Sequence, residues 1–348
     1  MENDKVDSVK VVRVIVTVVV IMLILVAIVA TFLFFTGEKK RDSDVIALYG
    51  FSVKGEVMEG SIIPGFKDYW KERTGRDVSF ETYFAGSGKI TNQVVVGAPA
   101  EVMILSTEWD AIKLEEHGCT KGGYRDLPHN GTVSMSPWVI LTRRGNPKDI
   151  TSFSDLSLPG VEIVHADPLT SGGACWSIFA VYGSQLVLSE IEEGSPNTTL
   201  AEEVLEGFIG NVISWQSSAR KALAQFSLGY GDVLVTYENE ALLALKMGEE
   251  FEMVYPGPTI YSEHKAVVVD RNVNDDEKEL VDEFVDYLFK EESQKAMAGH
   301  GFRSIDEEIN RNNAMFPRID HGFTVELLGG WDQAHPDLID GLYSDLRG

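Results

Sequence analysis

Cysteine is nearly absent: two residues in 348, Cys119 and Cys175. That count excludes a disulfide framework and leaves at most one bridge, and two small buried thiols are the simpler expectation. No C-x-x-C and no H-E-x-x-H occurs, nor any dense His/Asp/Glu cluster at metal-ligand spacing, so neither a metal nor a cofactor is expected. Basic residues are also in short supply, with 30 Lys and Arg against 54 Asp and Glu, a net charge of −24. Such a surface repels phosphate backbones, which argues against a nucleic-acid partner. It does not exclude a small anion, because aligned N–H dipoles can hold one locally. No internal repeat or low-complexity segment appears.

One long apolar run stands out. From Val14 to Phe35 there are 22 consecutive uncharged residues, long enough as a helix to cross about 30 Å of hydrocarbon. A secretory signal would have a shorter core and a small-residue cleavage site. "ATFLFFTGEKK" offers no such site, and no Cys follows for lipid attachment, so residues 14–35 are expected to be an uncleaved membrane anchor. Lys5, Lys10 and Arg13 precede the run and Lys39, Lys40 and Arg41 follow it, so the flanking charges do not orient it.

Behind the anchor, apolar runs alternate with helix-period segments. "VIALY", "DVSFETYF", "EVMIL", "WVILT", "VEIVH", "GNVIS", "DVLVTY" and "AVVVD" read as strands. Gly60–Thr74 reads as a helix with Phe66, Tyr69 and Trp70 inward, stopped by Gly75. The rhythm is that of an α/β protein with largely parallel sheets. "RRGNPKD" (143–149) and "YPGPT" (255–259) are the strongest turn signals, placed near expected crossings between two lobes.

Three segments share a pattern in which a strand ends, small polar residues follow, and a helix begins: "FAGSGK" (84–89), "LTSGGACW" (169–176) and "WQSSARK" (215–221). First-turn N–H groups lack intrahelical partners and carry the positive end of the helix dipole. Glycine lets an anion approach the backbone. One such turn is an ordinary cap. Three in one α/β chain point to an anion site at the carboxyl ends of strands.

Competing chemistries find less support. "GSGK" is not a nucleotide loop, since Tyr83 stands where G-x-x-x-x-G-K-[ST] needs its first Gly and Ile90 where it needs Ser or Thr. A surface serine hydrolase would rest on Ser171, which lacks the G-x-S-x-G elbow, with His165 or His264 brought near only by the fold. Glu238 and Glu240 in "YENEA" suit a helix start or a contact between lobes better than an anion site.

The segments "GSGK", "RRGNPKDITSFSDLSLPGVEIVHADPLTSGGACW", "SSARKALAQFSLGYGDVLVTYENEALLA", "AVVVD" and the tail "GFRSIDEEINRNNAMFPRIDHGFTVELLGGWDQA" resemble, in order, the sulfate- and thiosulfate-binding proteins of bacterial ABC importers. The resemblance implies a two-lobed, Venus-flytrap periplasmic-binding-protein fold behind one N-terminal transmembrane helix. Residues 1–43 would be the cytoplasmic stub, anchor and linker, 44–138 plus 264–348 one lobe, and 139–263 the other. It implies a soluble part outside the cell, capturing sulfate or thiosulfate for an ABC permease and its ATPase, with no catalysis. Phosphate, molybdate or tungstate would be alternative ligands of the same fold. Family ligands are held by neutral donors: N–H groups at helix starts, a Ser hydroxyl and a Trp indole. Carried onto this sequence, these are Ser87, then Ser171, Gly172 and Gly173, then Ala219, with Tyr237 in the Trp position and Ser52 and Val53 in place of an N-terminal Tyr-Asp pair. Cys175 stands where the family has Arg. A donor-only pocket would exclude hydrogen phosphate, whose proton finds no acceptor. Tyr237 differs from an indole because its oxygen can also accept.

Overall fold

The computed structural model describes residues 44–347 and, ahead of them, Met22. The anchor expected over residues 14–35 therefore lies, Met22 apart, outside the described residues.

The first half of the fold begins with β1 (Asp44–Phe51), a 3₁₀ turn at Ser52–Lys54, helix α1 (Ile63–Thr74) and β2 (Val78–Ala85). Helix α2 (Ser87–Val95), β3 (Val102–Leu105) and helix α3 (Glu108–Glu116) follow. β1 lies parallel to both β2 and β3. All four residues of β3 are buried, as expected where helices cover both faces of a parallel sheet. In α1, Phe66 and Trp70 are fully buried one turn apart, and the Phe66 ring meets Phe284 edge-on at 5.0 Å. Gly75, at φ 74°, ends the helix as the turn signal predicts, its N–H reaching Lys71 O at 2.8 Å.

The long strand β4 (Thr132–Arg143) carries the chain into a second sheet. There stand β5 (Ile163–Ala166), helix α4 (Gly172–Glu193), helix α5 (Thr198–Gly210), β6 (Val212–Gln216), helix α6 (Ala219–Ser227), β7 (Val233–Tyr237), helix α7 (Glu238–Lys246) and β8 (Phe251–Val254). β9 (Thr259–Val268) returns to the first half, and helices α8 (Lys278–Leu288) and α9 (Glu291–Gly299) and the short β10 (Gly322–Phe323) follow. The strand order is β2-β1-β3-β9-β4-β7-β5-β6, with β10 on β9 and β8 on β4.

Two sequence expectations need correcting. The sheets are parallel at their flanks, where β5 also pairs β6 and β7 in parallel, but antiparallel through the centre: β9 against β3 and β4, and β4 against β7 and β8. The chain changes partner within β4, where Pro137 still pairs Tyr261 of β9 and Trp138 already pairs Tyr237 of β7. "RRGNPKD" instead closes the far end of β4, where Arg143 bonds the carbonyls of Phe226, Tyr230 and Gly231. "YPGPT" does lie between β8 and β9.

Among the described residues, α4 is the one helix long and apolar enough to cross a membrane, yet 72% of its apolar window is buried within the protein. It is a core helix. Its Trp176 donates to Ser106 O at 2.7 Å and meets Trp331 edge-on at 4.9 Å.

Candidate anion site

Each of the three turns singled out in the sequence follows a strand and opens a helix. Gly86 precedes α2 in an extended conformation, with no side-chain cap. Ser171 precedes α4, also without a side-chain cap bond, and is 3% exposed. Ser218 caps α6 by accepting from Lys221 N at 3.3 Å, so Ala219 is the first helical residue. Among the described residues the N–H groups of Ser87, Gly88, Gly172, Gly173 and Ala219 have no backbone acceptor, as the first-turn geometry requires.

The fold brings these turns together. A Cβ on Gly86 would overlap the carbonyl oxygen of Thr170 and lie 2.7 Å from that of Ser217, so the first turn touches both others. A Cβ on Gly172 would lie 2.8 Å from Ser106 Oγ, and one on Gly173 would lie 3.0 Å from Tyr237 Oη. Both glycines thus permit an approach that no side chain would allow. The turn at Ser52–Lys54 packs against α6, with Val53 buried and Ser52 partly exposed. Phe51 carries that turn to Tyr237, their rings 5.9 Å apart. All eight residues expected from the sequence therefore lie on connected elements.

Tyr237 ends β7 and is 1% exposed, walled by Trp138 at 4.4 Å and His264 at 5.8 Å. Burial pushes its phenol well above the ordinary range, so it remains protonated and neutral. Its Oη lies 2.6 Å from Ser106 Oγ. Ser106 itself went unnoticed in the sequence, although "ILSTEWD" repeats the strand-to-helix pattern and Thr107 with Asp110 forms a cap at the start of α3. Ser106 N donates to Ser87 Oγ at 3.0 Å. Behind this turn, burial pushes the Asp110 carboxyl up, while hydrogen bonds from Ser87 and Thr107 act against that shift.

The charged residues around the site are mostly internally paired. Arg303 bonds Glu238 through two contacts of 2.8 Å. Arg220, in the first turn of α6, holds Glu240 at 3.0 Å and also Glu56 from the other half. Glu238 and Glu240 both stand in the first turn of α7, the helix-start role expected of them, and Glu238 reaches Arg303 far along the chain while Glu240 pairs with the nearby Arg220. Lys54 is a surprise: it is fully buried, donates to Ser134 Oγ at 2.5 Å and lies 3.5 Å from the centre of the Phe302 ring. Burial lowers its pKa well below the usual lysine value.

The hydrolase arrangement is not assembled among the described residues. His165 bonds Ser177 rather than Ser171, and His264 bonds Ser134 and Ser262. Cys119 and Cys175 are buried free thiols. No group of three or more His, Cys, Asp or Glu side chains among the described residues is placed to hold a metal.

Comparison with known proteins bears on this geometry. The profile of a family described as "Bacterial extracellular solute-binding protein" matches residues 64–303. A sulfate-binding protein of Synechococcus elongatus is 35% identical over 86% of this chain and 85% of its own length. A thiosulfate-binding protein of Pseudomonas aeruginosa is 30% identical over 80% of this chain and 84% of its own. The solved structure of a sulfate-binding protein from Mycobacterium tuberculosis superposes with a TM-score of 0.76 at 28% identity, covering 85% of this chain and all of that one. The fold is thus the mixed α/β, two-lobed periplasmic-binding-protein fold, and the chain belongs to the bacterial solute-binding protein family that includes the sulfate- and thiosulfate-binding proteins.

Proposed function

We propose that this chain captures a tetrahedral oxyanion, sulfate foremost, between its two lobes and presents it to an ABC permease and its ATPase at the outer face of the membrane. The observation that carries this reading is the meeting of three helix starts at Gly86, with first-turn N–H groups free in each. The ligand donors are Ser87, Gly172, Gly173 and Ala219 through N–H, Ser171 through its uncapped hydroxyl, and Tyr237 through its phenol. Ser52 and Val53 add backbone N–H groups from the end of β1. Fully ionised sulfate offers acceptors alone, so each neutral donor matches it without burying a second charge.

The change of partner within β4 and the return of β9 support a lobe division at 44–138 plus 264–348 against 139–263. The uncharged run at residues 14–35 would hold the receptor at the membrane, raising its effective concentration beside the permease.

Titration calorimetry of the purified full chain with sulfate, thiosulfate, phosphate, molybdate and tungstate tests the reading. Sulfate or thiosulfate is expected to saturate one site, and Ser171→Ala to weaken it by about 10- to 150-fold, the worth of one hydrogen bond to a charged group. Heat with molybdate or tungstate and none with sulfate would refute the sulfate assignment while sparing the fold. Turnover of an ester by Ser171 would refute the receptor reading altogether.

A further inference from the structure

Ser106 and Tyr237 touch through their hydroxyls beside the proposed site, and their chemistry differs from that of a ring N–H. Both residues are 1% exposed, and their oxygens are 2.6 Å apart. The Ser106 backbone is pinned at both ends, its N–H on Ser87 Oγ and its carbonyl under Trp176 Nε1. Its Oγ stands over the Cα of Gly172, and Tyr237 Oη over that of Gly173. The two hydroxyls therefore border the backbone donors that would hold the anion.

Two hydroxyls in mutual contact share one proton between them and leave one proton and several lone pairs over. Reversing the direction of the shared bond changes which oxygen offers its proton outward and costs no change in heavy-atom position. An indole N–H offers a proton and nothing else. Building on the oxyanion reading above, we propose that Ser106 is a specificity-determining residue, and that with Tyr237 it forms a two-hydroxyl element that both donates and accepts. The pocket then admits hydrogen-bearing tetrahedral dianions, such as hydrogen phosphate, along with sulfate. In a donor-only pocket the proton of such an anion would be buried without an acceptor. Here it meets a hydroxyl oxygen.

The test is calorimetry of the full chain at pH 8, with sulfate and inorganic phosphate as the two probes. The wild type is expected to bind both, with phosphate weaker by less than about 1000-fold. Ser106→Ala with Tyr237→Trp, which removes both oxygens of this element and leaves the Ser171 hydroxyl as the remaining side-chain acceptor, is expected to widen that gap at least about tenfold, the loss of one accepting partner. Ser106→Ala alone guards against a folding defect in the double variant. It is expected to weaken both ligands with a melting temperature near the wild type's, whereas a merely structural serine would change stability and leave the affinities alone. Saturation by sulfate with no phosphate heat at millimolar concentration overturns the proposal and leaves the sulfate reading standing. So does an unchanged affinity ratio in the double variant. If the wild type binds neither anion, the sulfate assignment fails together with this proposal.

Discussion

Gly86→Ala isolates lobe closure from folding. Gly86 sits at φ −55° and ψ 136°, a conformation alanine adopts freely. Were the proposed lobes to separate, the added methyl would leave Thr170 and Ser217 for solvent, and the loss of glycine's freedom in the unfolded chain would stabilise the protein by about 0.4–1 kcal/mol. In the closed arrangement the same methyl overlaps Thr170 O and crowds Ser217 O at 2.7 Å. Both are backbone atoms at the start of helices and cannot rotate away. Overpacking of this kind costs about 1–3 kcal/mol, equivalent to roughly a 5- to 150-fold loss of affinity. The variant should therefore melt at or slightly above the wild-type temperature without ligand, yet lose about 1–3 kcal/mol of the stabilisation that saturating sulfate gives, since that stabilisation is RT ln(1 + [L]/Kd). Paired melting curves and calorimetry measure both quantities. Sulfate affinity within twofold of wild type would refute the claim that these turns close on the ligand.

Two further predictions concern buried charge. Arg220→Ala leaves Glu240, fully buried, without its cation; removing one partner of a buried pair costs about 3–5 kcal/mol, readable by urea unfolding, and Glu240→Gln in the same chain should restore most of it. If Arg220→Ala unfolds at the wild-type midpoint, the pair has no structural role. His165, pushed down to about 4 by burial, stays neutral in the fold while the unfolded imidazole protonates near 6.5. Stability attributable to it is thus intact above about pH 6.5, falls as the pH drops toward 4, and is lost by about 3 kcal/mol at the end of that window. Because burial raises the Glu238 and Glu240 carboxyls and they work in the opposite sense, the quantity to measure is the difference between wild type and His165→Gln at pH 7, 5 and 4; parallel profiles would exclude the effect.

Much of the site could be read before the fold because its signals are local. A glycine- or serine-rich segment after an apolar run marks a helix start whatever its neighbours, and all three marked turns proved to be helix starts. The long-range arrangement had no such signal. The antiparallel centre of the sheet depends on β9 returning beside β3 and β4, which no local pattern encodes. Lys54 reads in the sequence as one more surface lysine. It is buried because Phe302 and Ser134, far along the chain, close over it. Ser106 is the instructive omission. Its strand-to-helix pattern was visible, but its importance comes from Tyr237 and Gly172, which only the tertiary fold places against it.

The proposed site also explains how so acidic a chain can hold an anion. A net charge of −24 gives no attraction at a distance, so binding has to be won at contact range. Glu238 and Glu240 directly follow Tyr237 in sequence and would oppose a dianion if left bare. Each is instead clasped by a guanidinium, Arg303 for one and Arg220 for the other, which turns two repulsive charges into two dipoles whose fields fall off faster. Arg220 reaches further, to Glu56 in the first half, so the group that screens Glu240 also ties the halves together beside Ala219. Pairing the charges and bringing the halves together are then one structural act, and neither Glu238 nor Glu240 competes as a bare carboxylate with the anion proposed for the neutral donors.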